Sequence, residues 1–174
     1  MEVDIKEVGH ILLIGNRQDI REVNDFLVPY RSKEEFIPFE RLLSFTRPYN
    51  LLKIGAHPFR EAKGLAHLEK EVLTQLDAFD LNATDLYHQG LKMRMQLAIF
   101  AHELQLPVVA GSDTHHYLQF GSVYNELREK AATIDELRAV LMRNAYDITI
   151  SPCLKEKVKA ARLVKKTLKK SLSV

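Results

Sequence analysis

The sequence predicts an α/β fold with about five parallel strands and helices outside them. Five short apolar runs, most of them bounded by Gly, Pro or Asn, have the length of buried strands. Segments with apolar residues at helical spacing separate these runs, and such alternation is typical of a parallel sheet with right-handed crossovers. In folds of this kind the chemistry gathers at the C-terminal ends of the strands.

Two strands and three helices are predicted in the first half of the chain. Residues 10–15 (HILLIG) are an apolar run closed by a Gly-Asn turn signal. Residues 19–30 have apolar side chains at helical spacing and stop at a Pro. Residues 32–45 begin with a Ser that can cap a helix, although a Pro inside this segment is expected to break or kink it. Residues 51–56 (LLKIGA) form the next strand, and residues 66–76 the helix after it.

Three further strands and two helices are predicted between residues 77 and 150. Residues 78–83 (AFDLNA) form a strand, and residues 87–104 are predicted as one continuous helix because apolar residues line one side. Residues 106–111 (LPVVAG) form a strand between a Pro and a Gly-Ser turn. Residues 133–144 begin with Thr and have Glu three residues later, which is a capping box, and residues 145–150 (AYDITI) form the last strand.

Composition indicates one soluble domain over residues 1–174. Hydrophobic residues make up 46% of the chain and charged residues 28%, which is ordinary for a globular protein of 174 residues. The net charge of +2 implies no charged partner, although residues 155–170 hold eight Lys or Arg and one Glu, within a basic helix predicted at 155–174. The single Cys153 excludes an internal disulfide and favours a cytoplasmic location. No signal peptide or membrane-spanning run is predicted, so no membrane partner is expected.

The segment VVAGSDTHH, residues 108–116, has side chains that could bind a metal or take part in catalysis just after a predicted strand. Asp113 and His115 are two residues apart just beyond the apolar run, so in extended backbone they point the same way. A carboxylate and an imidazole that converge at such a place suit a divalent metal. The alternative is an Asp that caps the next helix beside exposed histidines.

Four segments of the chain carry polar residues next to apolar runs, and in order they are MEVD…GHILLIG, IGAHPFR, DAFDLNA and VVAGSDTHH. Taken together, and in this order, they resemble the PHP family (polymerase and histidinol phosphatase) of metal-dependent phosphoesterases. The resemblance covers essentially the whole chain. It implies an incomplete (β/α) barrel of the PHP type and hydrolysis of phosphate esters by metal-activated water. The implied cofactor is a divalent metal (Zn, Mn or Fe), with occupancy that is expected to be partial.

The resemblance also implies roles for seven residues of this sequence. The residues that match its metal ligands are Glu2, His57, Asp113 and His115. The residues that match supporting positions are His10, Asn82 and Asp80, the last standing where the family more often has Glu. No further catalytic residue is assigned.

The sequence departs from the family at its beginning. Members open with a His-x-His strand that supplies two ligands, and this chain opens at MEVD instead. The chain therefore resembles the C-terminal two-thirds of a PHP domain, and weak activity or none is expected of it alone. Glu2, beside the terminus, is expected to fray, and an exposed strand edge is expected to favour a homo-oligomer.

Two alternatives to a phosphoesterase stay open. One is a non-catalytic PHP remnant that binds an ion, a phosphate or a protein partner, and the other is an amidohydrolase-like metal hydrolase. The expected ligand is a phosphorylated small molecule or a nucleotide. Nucleic acid is a secondary candidate, because clustered lysines alone attract it only nonspecifically.

Overall fold

The computed structural model describes residues 1–60 and 64–172, in which the chain forms seven strands and seven α-helices. The strands are β1 Glu2–Ile5, β2 Gly9–Ile14, β3 Leu52–Ala56, β4 Ala78–Asn82, β5 Val108–Gly111, β6 Val123–Leu127 and β7 Tyr146–Ile150. The helices are α1 Arg17–Phe26, α2 Phe39–Thr46, α3 Lys70–Leu73, α4 Ala83–Gln89, α5 Leu91–Glu103, α6 Ile134–Met142 and α7 Leu154–Leu172. The predicted α/β class is confirmed.

Five strands form one sheet in the order β1-β2-β3-β4-β5. β3, β4 and β5 are parallel, as predicted, and each is linked to the next by helical segments. β1 and β2 form an antiparallel hairpin, and β2 is also antiparallel to β3. The prediction that the strand at residues 10–15 is parallel is therefore wrong. The three residues between β1 and β2 are too few for a crossover and allow only a hairpin.

The start of the chain is held in the sheet, contrary to the expectation that Glu2 frays. Glu2 is in register with Leu12 across the hairpin. The terminal ammonium group of Met1 donates a hydrogen bond of 2.8 Å to the carbonyl oxygen of Leu13, and the amide of Leu13 donates one of 2.7 Å to the carbonyl oxygen of Met1. Backbone pairing on both sides of Glu2 gives its side chain a defined position.

The last two strands form a separate antiparallel ribbon, β6–β7, and do not extend the parallel sheet as predicted for residues 145–150. Asn125 of β6 joins the ribbon to β5. Its side chain accepts a hydrogen bond of 2.8 Å from the amide of Ala110 and donates one of 3.2 Å to the carbonyl oxygen of the same residue. One amide side chain thus takes the place of strand pairing at this edge.

Three predicted helices are interrupted. Pro38 precedes α2, and a short 3-10 turn covers Lys33–Glu35 instead of an α-helix. Residues 66–76 contain only a 3-10 turn and the four residues of α3. The helix predicted at 87–104 is two helices, because Gly90 adopts φ +58° and ψ −138°, a conformation that ends α4 and begins α5.

The five-stranded sheet has apolar side chains packed on both faces. One face holds the larger cluster, in which Ile11, Leu13 and Phe79 are fully buried. The other face packs Leu52 and Val109 of the sheet against α6 and β7. Packing on both faces fixes the sheet between its helices, and the polar ends of its strands open to one side.

α7 covers the predicted basic helix as far as Leu172, residues 173–174 lying outside the described part of the chain, and it packs through Val158 and Ala161. The capping box predicted at residues 133–136 is also present at the start of α6. None of the helices in the described part of the chain is long and apolar enough to cross a membrane.

Candidate metal centre

His10 is at the centre of a cluster of polar side chains built on the hairpin. Because side chains alternate along a strand, Val3 and Ile5 point into the core, whereas Glu2 and Asp4 point to the opposite face. His10 is opposite Asp4 in register and lies between the two carboxylates. Its Nδ1 is 2.7 Å from Oε1 of Glu2, and its Nε2 is 3.0 Å from Oδ1 of Asp4.

His57 joins the cluster from the end of β3. Ala56, the last residue of β3, is in register with His10, so the next side chain along β3 reaches the same place. Nε2 of His57 is 3.1 Å from Nδ1 of His10, and the two rings meet edge to face. One ligand atom each from Glu2, His10 and His57 lies within 4.8 Å of the other two, and this is the single such group among the described residues.

The two imidazoles differ in their electrostatics. The hydrogen bond with Glu2 raises the pKa of His10, and the same bond lowers the pKa of Glu2. Burial, together with the positive charge of Arg60, lowers the pKa of His57 to about 4. His57 is therefore neutral near pH 7 and offers a nitrogen lone pair.

Asp80 holds the backbone at His57. Its Oδ1 accepts a short hydrogen bond from the amide of His57, a residue with φ +33°, and its Oδ2 accepts one of 3.3 Å from the amide group of Asn82. Burial raises the pKa of Asp80 to about 7. Gly111 lies directly against this carboxylate, since a Cβ there would come within 2.8 Å of its Cγ. Asn82 in turn accepts a hydrogen bond of 2.9 Å from the amide of Thr84 and caps α4.

Asp113 lies beyond β5, and its carboxylate forms a salt bridge with the guanidinium of Arg60. Nη1 of Arg60 donates a hydrogen bond of 2.8 Å to Oδ2 of Asp113, and Nε donates one of 3.2 Å to Asp85. Nη2 of Arg60 is buried without a hydrogen-bond partner among the described residues. His115 turns its Nδ1 towards Asp113, 3.0 Å from the backbone oxygen, and is more than half exposed.

Several of these groups line an open cleft of about 1310 Å³, whereas His57 lines a second cavity of about 390 Å³ that shares Asp4, His10 and Arg60 with the cleft. The cleft is lined by Lys and Arg side chains of α7 and by acidic and imidazole side chains: Glu2, Asp4, His10, Asp113 and His115. The cleft thus joins a cluster of oxygen and imidazole donors to a basic wall.

The structure brings together part of the predicted ligand set. Glu2 and His57 belong to the compact cluster. Asp113 and His115 line the cleft together with Glu2 but lie outside that cluster. His10, predicted as a supporting residue, contributes a ligand atom to the group, while Asp80 and Asn82 support its backbone. Asp4 was missed by the sequence reasoning. The alternation of acidic and apolar residues in EVDI, next to a Gly-His, was the signal that could have found it.

The donor set fits the kind of metal that the family motifs imply. Carboxylate oxygen and neutral imidazole nitrogen suit Zn, Mn or Fe. Asp4 accepts from Nε2 of His10, which is the arrangement that commonly orients a ligating histidine.

Comparison with known proteins finds one family model that matches part of the chain. Residues 94–146 match the family model PHP_C, described as PHP-associated. None of the curated proteins compared matches the sequence.

Solved structures share the fold. PsfC from Pseudomonas syringae PB-5123 is similar with a TM-score of 0.73 at 15% identity, over 96% of this chain and 64% of PsfC. The lesion-specific endonuclease PfuEndoQ from Pyrococcus furiosus is similar with a TM-score of 0.56 at 19% identity, over 84% of this chain and 39% of the endonuclease. Endonuclease Q in complex with a 27-mer duplex substrate is similar with a TM-score of 0.54, over 86% of this chain and 40% of that protein. The chain thus spans less than two thirds of each of these proteins. The match over residues 94–146 relates that segment to PHP-associated sequences, and the solved structures share the fold of the chain.

Proposed function

We propose that the chain binds a divalent cation through Glu2, His10 and His57, and that its cleft hydrolyses a phosphate ester with weak activity. The observation that carries this proposal is the convergence of three ligand atoms within 4.8 Å, two of them on residues (Glu2 and His10) that line a large open cleft. Asp113 and His115, which match the family's GSDxH ligands, face the same cleft and are proposed to act beside the cluster. The proposed substrate is a phosphorylated small molecule or a nucleotide.

The residues of the cluster suit cation binding in their protonation as well as their position. His10 Nδ1 now shares a proton with Glu2, and this proton must leave when a cation binds, so affinity rises with pH. Asp4 keeps the proton on Nε2 and so directs Nδ1 towards the cation site. When bound, a divalent ion neutralises phosphate charge and lowers the pKa of a water molecule.

The expectation of weak activity follows from the number of protein donors. Three clustered donors leave the remaining coordination positions to water, and a site of this kind holds substrate and water loosely. Because positioning and charge neutralisation supply most of the rate in such reactions, slow turnover is expected. A non-catalytic relative that only binds an ion or phosphate is the alternative, and it differs by having no turnover at all.

Calorimetric titration with Mn²⁺ or Zn²⁺ tests the cation site. We expect His10→Ala and His57→Ala to weaken binding at least about tenfold. His102→Ala is the matched control, since this exposed histidine lies in the last turn of α5 and is not among the cleft residues. Equal affinity in all four proteins would contradict the proposed site.

Hydrolysis of p-nitrophenyl phosphate with added Mn²⁺ then separates the enzyme from the non-catalytic alternative. Slow turnover that falls with both His57→Ala and Asp113→Ala supports the phosphoesterase. Metal binding without any turnover supports the non-catalytic alternative. Fast turnover would contradict the expectation of weak activity.

A further inference from the structure

The basic residues of α7 form a continuous face. Lys159, Arg162, Lys166 and Lys170 follow one another at three- and four-residue spacing, so they lie on one side of the helix. All four line the same cleft as His10 and Asp113. At 1.5 Å per residue this face extends for about 16 Å.

The orientation of this face is fixed by packing. Val158 and Ala161 bury the inner side of α7, which leaves the basic residues on the cleft side. Arg162 is anchored at the middle, because its guanidinium lies over the ring of Tyr87 at 5.8 Å and contacts Nε2 of His88. The basic face is thus a preformed wall of the cleft.

The carboxylates across the cleft have cationic or imidazole partners of their own. Glu2 and Asp4 contact His10, and Asp113 contacts Arg60. The positive charges of Lys159, Lys166 and Lys170 repel one another along the helix, and an anionic ligand would relieve this repulsion. A single phosphate would meet only a small part of the face.

Size and lining indicate what kind of anion fits. The cleft of about 1310 Å³ is larger than sites for drug-sized ligands, which take about 300–1,000 Å³. None of the described residues that line it is Phe, Tyr or Trp, whereas proteins that hold single-stranded nucleic acid by its bases use aromatic side chains for stacking. Recognition in this cleft would then depend on phosphate charge.

We propose that the basic face of α7 binds a linear chain of phosphate groups, one end of which lies at the metal centre. This proposal rests on the proposed function for the identity of the group at that centre. An oligonucleotide backbone and an inorganic polyphosphate share this chemistry. The face itself contributes several positive charges along two to three helical turns and reads no base.

Fluorescence anisotropy with labelled dT12 and the full chain tests the proposal. EDTA is present throughout, so the result does not depend on the metal, and a failed Mn²⁺ titration would affect only the proposed function. The double variant Lys159→Gln/Lys166→Gln removes two charges from the face. The matched control Lys92→Gln/Lys130→Gln removes two exposed charges that do not line the cleft. Circular dichroism verifies that both variants are folded.

We expect the α7 variant to bind dT12 at least tenfold more weakly than the wild type, and the control to stay within twofold. The slope of log K against log salt should fall by about 1.4 in magnitude, since each phosphate contact to a single strand contributes about 0.7. Equal weakening in the control variant, or an unchanged slope, would overturn the proposal.

Competition identifies the source of the phosphate chain. Displacement of dT12 by tripolyphosphate at concentrations well below those needed with orthophosphate supports a site that accepts any phosphate chain. Failure of tripolyphosphate, with dT12 still dependent on Lys159 and Lys166, supports the oligonucleotide alone. Orthophosphate as effective as tripolyphosphate would overturn the proposal, since a single phosphate would then suffice.

Discussion

The contributions of Asp80 and His57 to the free energy of unfolding are expected to change in opposite directions with pH. The variant Asp80→Asn removes the first contribution and leaves the second to be measured. In the native chain burial raises the pKa of Asp80 from its ordinary 3.8 to about 7, and burial lowers that of His57 from 6.5 to about 4. The two groups are in contact through the amide of His57. Replacing the carboxyl with an amide of the same size removes one titration and keeps the other.

The magnitudes follow from proton linkage. Between pH 4 and 7 the native state holds a proton on Asp80 that the unfolded state has lost, so the free energy of unfolding falls by about 1.4 kcal/mol per pH unit, or about 4 kcal/mol in all. Between pH 4 and 6.5 the unfolded state holds a proton on His57 that the native state lacks. Stability therefore rises there by about 1.4 kcal/mol per unit, or about 3 kcal/mol. In the wild type the two slopes nearly cancel.

Urea unfolding at half-unit steps from pH 4 to 7.5, in EDTA, measures the difference. The free energy of unfolding of Asp80→Asn, taken relative to wild type, should rise by about 1.4 kcal/mol per pH unit up to pH 7. A constant offset from the new amide beside Asn82 does not affect this slope. The other ionisable groups contribute to both proteins and drop out of the difference.

His57→Gln provides the mirror-image test. Its stability should fall, relative to wild type, by about 3 kcal/mol as pH rises from 4 to 6.5, because the histidine contribution is missing. If the curves of both variants run parallel to that of the wild type, the two pKa shifts are absent and the reasoning from burial is wrong.

Three further substitutions test how the fold supports the site. Gly111→Ala would push a methyl group into the carboxylate of Asp80, which holds the backbone of His57. We therefore expect the affinity for Mn²⁺ to fall at least about tenfold in a calorimetric titration. Unchanged affinity would show that Asp80 can move without effect. Arg138→Met removes hydrogen bonds from α6 to Asp77 and to the buried carbonyl of Leu51, so urea unfolding should show a free energy of unfolding lower by about 2 kcal/mol. Arg143→Met removes an exposed ion pair and should lower it by less than about 1 kcal/mol. Equal losses would contradict the difference in burial. Gly90→Ala should cost about 1–3 kcal/mol from backbone strain alone, since its Cβ meets no atom within 4 Å, and an unchanged urea midpoint would mean that the backbone relaxes.

The parallel part of the sheet could be predicted from sequence because its signals are local. Each of β3, β4 and β5 is a short apolar run with turn residues at its end, and the rule for strand ends placed His57, Asn82 and Asp113 at one edge. The hairpin could not be predicted in the same way. The direction of β2 depends on the three-residue turn after β1, and β1 is too short to give a clear apolar run.

Interruptions of helices were missed where they depend on a single backbone conformation. The side chains from residue 87 to 104 have an apolar stripe that continues across Gly90, so periodicity gives no sign of a break. The break follows from the positive φ of Gly90, which the cap of α4 requires. The strand β6 was missed for a different reason: its sequence VYNEL is mostly exposed, so it contains no run of apolar residues.

The predicted metal ligands fall into two pairs, Glu2 with His57 and Asp113 with His115, and the pairs differ in the groups that already contact them. This difference explains why only one pair belongs to the compact cluster. Glu2 on β1 and His57 at the end of β3 lie on either side of β2, which carries His10 and is in register with both strands, so strand pairing brings the three side chains together. Asp113, with φ +49°, extends from a strand end, and its carboxylate already has a cationic partner in the guanidinium of Arg60. A cation would bind first where the cationic partner is a proton that can leave, at His10, since the guanidinium cannot be deprotonated in proteins. We therefore expect a cation to bind first at Glu2, His10 and His57, and Asp113 to become available only where Arg60 moves aside.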